Sequence, residues 1–295
     1  MVEKRTGGHT EVAALITQAA AALEHSSVDN PSLEAEVLMA EALGLPSRAG
    51  VLARLREVPG HAARKRFIHL VARRARREPP QYILGRQEFL GRAFEVNQAV
   101  LIPRPETEFL ARAGADFLKE TGSPLAADIG TGSGCIAVTL ALEVPDAFVY
   151  AVDCSSRALE TAMENAEKYG AAGRMEFLWG DLLEPLSDKG IMGKLDLVVS
   201  NPPYIPTDEI EKLQPEVRFE PVTALDGGPD GLASIRRLVH EAPFYLRRGG
   251  KLMMELGYDQ AGAVRKLVEN EPMLSFEKFI LDFAGIERII SAVKS

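Results

Sequence analysis

A chain of 295 residues with 46% apolar and 26% charged side chains has the composition of an ordinary water-soluble protein, and its length fits one small domain beside one of enzyme size. No run approaches the ~18 apolar residues of a membrane-spanning helix, and the polar start Met1-Val2-Glu3-Lys4-Arg5 lacks a secretory apolar core, so a cytosolic setting is expected. A net charge of −8 argues against nonspecific coating of nucleic acid; Cys135 and Cys154 and the scattered His9, His25, His61, His69 and His240 give no disulfide, metal or histidine-based pattern.

Residues 1–80 are expected to form a small helical bundle. Val12, Leu15, Ile16 and Leu23 recur at helical spacing between Thr10 and Ser26. Asn30-Pro31 offers an N-cap followed by proline at the first helical position, and a second helix runs through Leu33, Val37, Leu38 and Leu43 to a stop at Gly44. Further helices are expected near Ser47–Glu57 and Ala62–Glu78, before Pro79-Pro80 breaks the pattern. The last is basic, with Arg64-Lys65-Arg66 and Arg73-Arg74-Ala75-Arg76-Arg77. It reads either as a solvated face or as a docking face for an acidic partner or RNA.

Residues 81–104 are expected to form a hairpin and linker, with Gln87-Glu88-Phe89-Leu90 and Ala93-Phe94-Glu95-Val96 flanking Gly91-Arg92. Pro103-Arg104-Pro105-Glu106-Thr107-Glu108 leads into a helix. Glu106 and Glu108 either compensate its dipole or belong to a segment folding over a ligand. Across residues 105–295, short apolar runs alternate with helical stretches. Strands are expected at Leu125–Ile129, Phe148–Val152, Met175–Leu178, Leu195–Ser200, Gly250–Leu256, Phe276–Leu281 and Ile286–Ala292. Helices fall near Cys135–Glu143, Ser155–Tyr169, Leu232–Tyr245 and Asp259–Glu269. This alternation predicts an α/β domain with a seven-stranded, mostly parallel sheet covered on both faces, and an antiparallel edge where no helix separates the last two strands.

Three glycines at alternate positions, in Gly130-Thr131-Gly132-Ser133-Gly134, separate the first strand of that domain from its helix. They permit a tight turn and close approach of a ligand to the backbone. A dinucleotide fingerprint would place glycine where Cys135 stands, which demotes NAD and FAD. Asp153 ends the second strand, where a carboxylate accepts hydrogen bonds from ribose hydroxyls, and Asp181 follows the third, where an acid meets an adenine amino group. A ribose-binding acid beside a loop without a pyrophosphate fingerprint suits S-adenosylmethionine.

Asn201-Pro202-Pro203-Tyr204 directly follows the apolar run Leu195–Ser200. Two prolines fix φ at about −65° and remove two backbone donors, leaving the Asn201 side chain and the Asn201 and Pro202 carbonyls as acceptors for a planar NH2 group. A proline turn that only ends a strand is the plainer alternative.

Several further segments stand out: Gln81-Tyr82-Ile83-Leu84-Gly85, Ile102-Pro103-Arg104-Pro105-Glu106-Thr107-Glu108, Asn201-Pro202-Pro203-Tyr204-Ile205, and Phe219-Glu220-Pro221 leading into Leu225-Asp226-Gly227-Gly228-Pro229-Asp230-Gly231-Leu232. With the glycine loop they make the chain, from about Gln81 onward, resemble the release-factor glutamine N5-methyltransferases, the HemK-type enzymes; the helical region agrees in layout only. The resemblance implies a class I, Rossmann-like S-adenosylmethionine-dependent methyltransferase that releases S-adenosylhomocysteine. By it, Gly130, Thr131, Gly132, Ser133, Gly134, Asp153, Asp181, Leu182 and Asn201 line the cofactor site. Asn201, Pro202, Pro203, Tyr204 and Glu220 receive a glutamine, with Asn201, Pro202 and Tyr204 as the catalytic group. It also implies a monomer whose helical domain holds a class I peptide chain release factor while the Gly-Gly-Gln loop enters the site, with no membrane and no stable nucleic-acid partner. Some members carry an aromatic residue where Leu182 follows Asp181, so the resemblance carries over the reaction but not the details of packing against adenine.

An amide nitrogen is a poor nucleophile because its lone pair is conjugated. Acceptors at Asn201 and Pro202 would hold it and favour the positive charge that develops on it, so in-line alignment at about 3–3.5 Å does most of the work and no strong base is required. Three alternatives stand beside this one. They are transfer to a ribosomal-protein glutamine, transfer to an exocyclic amino group of a flipped DNA or RNA base, and a cofactor-binding protein that only chaperones a translation factor. The predicted elements consume nearly all of the 91 residues after Tyr204 in finishing the sheet, which argues against a target-recognition domain, and a binding-only protein would not need Asn201, Asp153 and the glycine loop together.

Overall fold

The computed structural model describes residues 10–295; Met1-Val2-Glu3-Lys4-Arg5 and His9 lie outside the described residues. The chain divides into two compact units, one running to Gly85 and including Pro215–Phe219, the other made of Arg86–Gln214 and Glu220–Ser295.

The first unit holds helices α1 (Val12–His25), α2 (Pro31–Leu43), α3 (Arg48–Leu52), α4 (His61–Ala75) and α5 (Pro80–Leu84). Leu15, Leu23, Leu38, Met39, Val51, Phe67, Leu70 and Ile83 fill its core. Gly44 ends α2 in the left-handed conformation, φ 67°. Asn30 precedes Pro31 but is itself left-handed and makes no side-chain cap. The third helix is shorter than expected because the chain turns after Leu52, sending the carbonyls of Leu55 and Glu57 to the amides of Ala13 and Val12 at the start of α1. Pro79-Pro80 does not end helix formation altogether: Pro80 starts the short α5, where a missing N–H leaves no bond unmade.

The second unit opens on a hairpin, β1 (Arg86–Phe89) and β2 (Arg92–Glu95), closed by Leu90-Gly91, both at positive φ. After α6 (Thr107–Lys119) come β3 (Leu125–Ile129), α7 (Cys135–Glu143), β4 (Phe148–Asp153), α8 (Ser156–Lys168), β5 (Met175–Trp179), β6 (Leu195–Ser200), α9 (Ala233–Tyr245), β7 (Leu246–Glu255), α10 (Ala261–Glu269), β8 (Leu274–Leu281) and β9 (Glu287–Lys294). The sheet has seven strands in the order β5-β4-β3-β6-β7-β9-β8; β9 alone runs antiparallel to both its neighbours. Its two faces build two cores. Leu197 and Val199 pack with Leu110, Leu118, Ile136 and Leu140, while Val198 and Leu252 pack with Ile235, Leu238 and Val264. β7 starts earlier than its expected first residue, Gly250, because glycine reads as a break. Here it lets two strands approach: a Cβ on Gly250 would lie 2.8 Å from the Leu195 carbonyl oxygen.

Strand order reverses between β3 and β6, which lie side by side with Ile129 opposite Ser200. The turns leaving them therefore begin as neighbours at the carboxyl edge of the sheet, the place where open α/β sheets bind ligands.

The basic helix is not the uniformly solvated face that its composition suggests. Arg74 is buried at 3% exposure and donates to Glu34 and Glu216, Arg77 donates to Glu216 at 2.6 and 2.7 Å, and Arg73 donates to Glu78 at 2.5 and 2.9 Å. The guanidinium forks sit where carboxylates of the same unit meet them, a pairing that sequence separations of 40 and 142 residues conceal. Arg64, Lys65 and Arg76 remain exposed. Arg74→Ala should destabilise this unit by about 2–3 kcal/mol, below the ~3–5 kcal/mol of a fully buried pair because both glutamates are partly wet. Arg64→Ala should change it by less than about 0.5 kcal/mol. Hydrogen exchange of the α4 amides reads both, and equal protection in the two variants would contradict the assignment.

Candidate active site

The glycine loop occupies the β3–α7 turn, with Gly130, Gly132 and Gly134 all left-handed at φ 75°, 55° and 77°. They serve two purposes. A Cβ on Gly130 or Gly132 would meet nothing within 4 Å, so these two keep the space above the loop open, whereas a Cβ on Gly134 would lie 3.1 Å from the Ala162 side chain. That space belongs to a cavity of about 410 Å³ lined by Gly130–Ser133, Asp153, Asp181, Leu182, Thr107, Asn201 and Pro203. Asp153 accepts the Gly132 amide at 2.9 Å and the Ser155 amide at 2.9 Å, which fixes its carboxylate at the cavity wall; burial raises its pKa. Beneath the loop, buried Asp128 accepts from Thr131 at 2.7 Å and from the Ala137 amide at 3.1 Å. Desolvation pushes its pKa up to about 7. Ser133 Oγ, on the cavity wall, is buried with no nitrogen or oxygen partner among the described residues, and the Cys135 thiol is beside it. An open glycine cradle, a fixed acid and an unpaired hydroxyl fit a ligand that carries a ribose and an amino-acid tail.

Asn201-Pro202-Pro203-Tyr204 leaves β6 on the other side of the cavity. Asn201 Nδ2 donates to Thr107 Oγ1 at 3.1 Å, and Thr107 donates to Glu255 Oε2 at 2.6 Å. Glu255 ends β7 at 2% exposure, and the Tyr204 hydroxyl lies 3.5 Å from its other oxygen. Desolvation raises the pKa of Glu255 to about 7, and Tyr204 is pushed up first by burial and then by Glu255. The Tyr204 backbone is held as well: its carbonyl accepts from Gln260 Nε2 at 2.8 Å, and Ile205 pairs with Leu225 and Gly227. Asp226-Gly227-Gly228-Pro229-Asp230-Gly231 thus forms the bed of the proline turn. Gly231, at φ 73°, sits so close that a Cβ would lie 2.4 Å from the Tyr204 carbonyl oxygen.

Other expected positions carry partners of their own. Asp181 and Leu182 line the cavity, but Asp181 also receives Arg237 at 2.6 Å and is well exposed, while Leu182 is left-handed at φ 46°. Glu220 is buried, accepts the Ile102 amide at 3.1 Å and Arg104 at 2.5 Å, and so clasps the Pro103–Thr107 segment along the cavity. Burial raises its pKa against the pull of Arg104. Pro202 is buried and Tyr204 half-buried, and both sit in the turn with Asn201 and Pro203, which line the cavity.

Sequence reasoning passed over Glu255, Gln260 and Asn165. Asn165 accepts the Glu95 amide at 2.8 Å and donates to the Glu95 and Ser133 carbonyls at 3.0 and 2.9 Å, tying the hairpin to the glycine loop. A polar residue on the apolar stripe of α8 was the available signal. Gly132→Ala should cost about 1 kcal/mol for its left-handed backbone alone, while Gly231→Ala adds a backbone collision and should lower stability by clearly more. Urea unfolding compares them, and equal midpoints would contradict the close packing at Gly231.

The PrmC N-terminal domain family matches residues 14–85, and the methyltransferase small domain family matches residues 110–214. The release factor glutamine methyltransferase of Moorella thermoacetica is 46% identical over 272 residues, covering 92% of this chain and 94% of that protein. The one from Geobacter sulfurreducens is 48% identical over 243 residues, covering 82% of each. Among solved structures, the hMettl16 catalytic domain in complex with MAT2A 3'UTR hairpin 1 matches with a TM-score of 0.54 at 16% identity, over 82% of this chain and 84% of that one; the likeness is one of fold alone. With 46–48% identity to these relatives over most of its length, the chain belongs to the release factor glutamine methyltransferase family.

Proposed function

We propose that this protein transfers a methyl group from S-adenosylmethionine to the side-chain amide nitrogen of the glutamine in the Gly-Gly-Gln motif of class I peptide chain release factors, acting as a monomer in the cytosol. The observation that carries this reading is that Asn201 and Pro203 open onto the same cavity as Gly130, Gly132, Ser133 and Asp153, in a chain whose relatives bear that name over almost its whole length.

Gly130–Gly134, Asp153, Asp181, Leu182 and Asn201 are the residues that would hold S-adenosylmethionine, with Asp153 toward the ribose and the glycine cradle along the amino-acid tail. Bound there, S-adenosylmethionine supplies an electrophilic methyl group. The protein's own part is to receive and orient the amide. The Asn201 side-chain oxygen and the Pro202 carbonyl accept from its two N–H bonds, Tyr204 packs behind the proline turn, and Pro203 keeps that turn from relaxing. Among the described residues lining the cavity, the carboxylates are Asp153, Asp181 and Asp226, each already accepting hydrogen bonds from within the protein, and no histidine is present. The site thus relies on alignment and charge stabilisation, not on a strong base.

Asn201→Ala should lower turnover about 10²-fold while the Kd for S-adenosylhomocysteine stays within a few-fold. Steady-state transfer to a purified release factor, with calorimetric binding alongside, measures both. Unchanged turnover would remove Asn201 from the amide-holding role.

A further inference from the structure

Asn201 holds a substrate amide only if its own amide is the right way round: the oxygen must face the cavity, because a nitrogen there would oppose two N–H donors with two more. An isolated asparagine side chain has little reason to prefer either orientation. Here the neighbour of Asn201 is Thr107, whose hydroxyl has one hydrogen, and that hydrogen goes to Glu255 at 2.6 Å. Thr107 Oγ1 is then left only as an acceptor, and the asparagine nitrogen meets it at 3.1 Å. Asn201 lines the cavity, and with its nitrogen on Thr107 the oxygen is the amide atom that remains for a substrate.

We propose that Glu255 and Thr107 are positioning residues of this enzyme, a buried relay in which an ionised carboxylate sets the direction of the threonine hydroxyl and thereby turns the Asn201 oxygen toward the substrate glutamine. The inference rests on the function proposed above, and it adds that the relay has a polarity. With Glu255 protonated, the carboxylic acid donates to Thr107, the threonine hydrogen is free to point at Asn201, and the amide is most stable with its oxygen toward Thr107 and its nitrogen in the cavity. Protonation at Oε2 reverses the relay and presents the substrate with the wrong face.

The surroundings of Glu255 place that reversal within an accessible pH range. The carboxylate is fully enclosed, and burial raises its pKa to about 7. Thr107 and Tyr204 pull it down through hydrogen bonds, Glu106 at the start of α6 raises it, and Arg288 on β9 lowers it. The Cys135 thiol at the start of α7 is itself pushed up to about 12 and stays neutral, and Arg104 faces Tyr204. The sign follows. The ionised form exists above the raised pKa, so the productive Asn201 orientation is present above it and is lost as pH falls through it.

The test uses the full chain, a purified release factor and S-adenosylmethionine, with S-adenosylhomocysteine binding as a control for an intact cofactor site. Wild-type kcat should rise across about pH 6 to 8. Thr107→Val should lower kcat about 10-fold or more with KM and the S-adenosylhomocysteine Kd within about 3-fold, and Thr107→Ser, which keeps the hydroxyl, should restore kcat to within about 3-fold. Glu255→Gln, which cannot titrate, should lack the acidic limb. Thr107→Val with wild-type kcat, a limb that persists in Glu255→Gln, or a flat wild-type profile would each overturn the relay, the last of these deciding the matter even if a variant fails to fold. If the wild-type enzyme transfers no methyl group to the release factor, it is the proposed function that fails instead.

Discussion

Everything in the site depends on the register between two parallel strands. Ile129 on β3 lies opposite Ser200 on β6, and the two chains leave the sheet at the same level in opposite connective directions. One exit is the glycine loop and the other is the proline turn. A methyl donor and an amide have to meet within about 3–3.5 Å, and no loop could hold two separate sites to that tolerance. The sheet does so because strand pairing, sealed by two apolar cores and by the Ser200 hydroxyl on the Ile129 carbonyl at 2.7 Å, leaves neither exit free to slide.

Around that pair, the site is built from buried polar groups that are almost all satisfied. Asp128 underlies the glycine loop, Asn165 ties it to the hairpin, Gln260 grips the Tyr204 and Gly231 carbonyls, and Glu255 stands behind Thr107 and Tyr204. Each would be a liability without its partner and becomes a source of rigidity with it. Two buried atoms are left over among the described residues, Asp128 Oδ1 and Ser133 Oγ, and both belong to the glycine loop or the strand beneath it. Of the two, Ser133 lines the cavity where a ligand is expected.

What the sequence disclosed was what short-range physics controls. β3, β6 and α7 fall where apolar runs and glycine placed them, and the antiparallel edge follows from the missing helix between the last two strands. The glycine loop, Asp153 and Asn201 were legible because each is a local motif at a strand end. The Glu255 connection was not, since Thr107 and Glu255 are 148 residues apart and an acid at a strand end reads as an ordinary surface residue. Arg74 and Arg77 looked like a charged face for the same reason: Glu216, which they share, lies far along the chain with no periodicity around it. The Asp-Gly-Gly-Pro-Asp-Gly segment was visible as a motif before its purpose was. Only the 2.4 Å approach to the Tyr204 carbonyl explains the glycine at its end.

The central claim is that the acceptor is a glutamine amide in a protein loop. Tandem mass spectrometry of a class I release factor incubated with this enzyme and S-adenosylmethionine tests it most directly, by locating any added methyl group along the chain. The account predicts a single methyl group on the side chain of the glutamine in the Gly-Gly-Gln motif. No methylation there, alongside transfer to RNA, DNA or a ribosomal protein in parallel reactions, would contradict it and reassign the substrate of the same site.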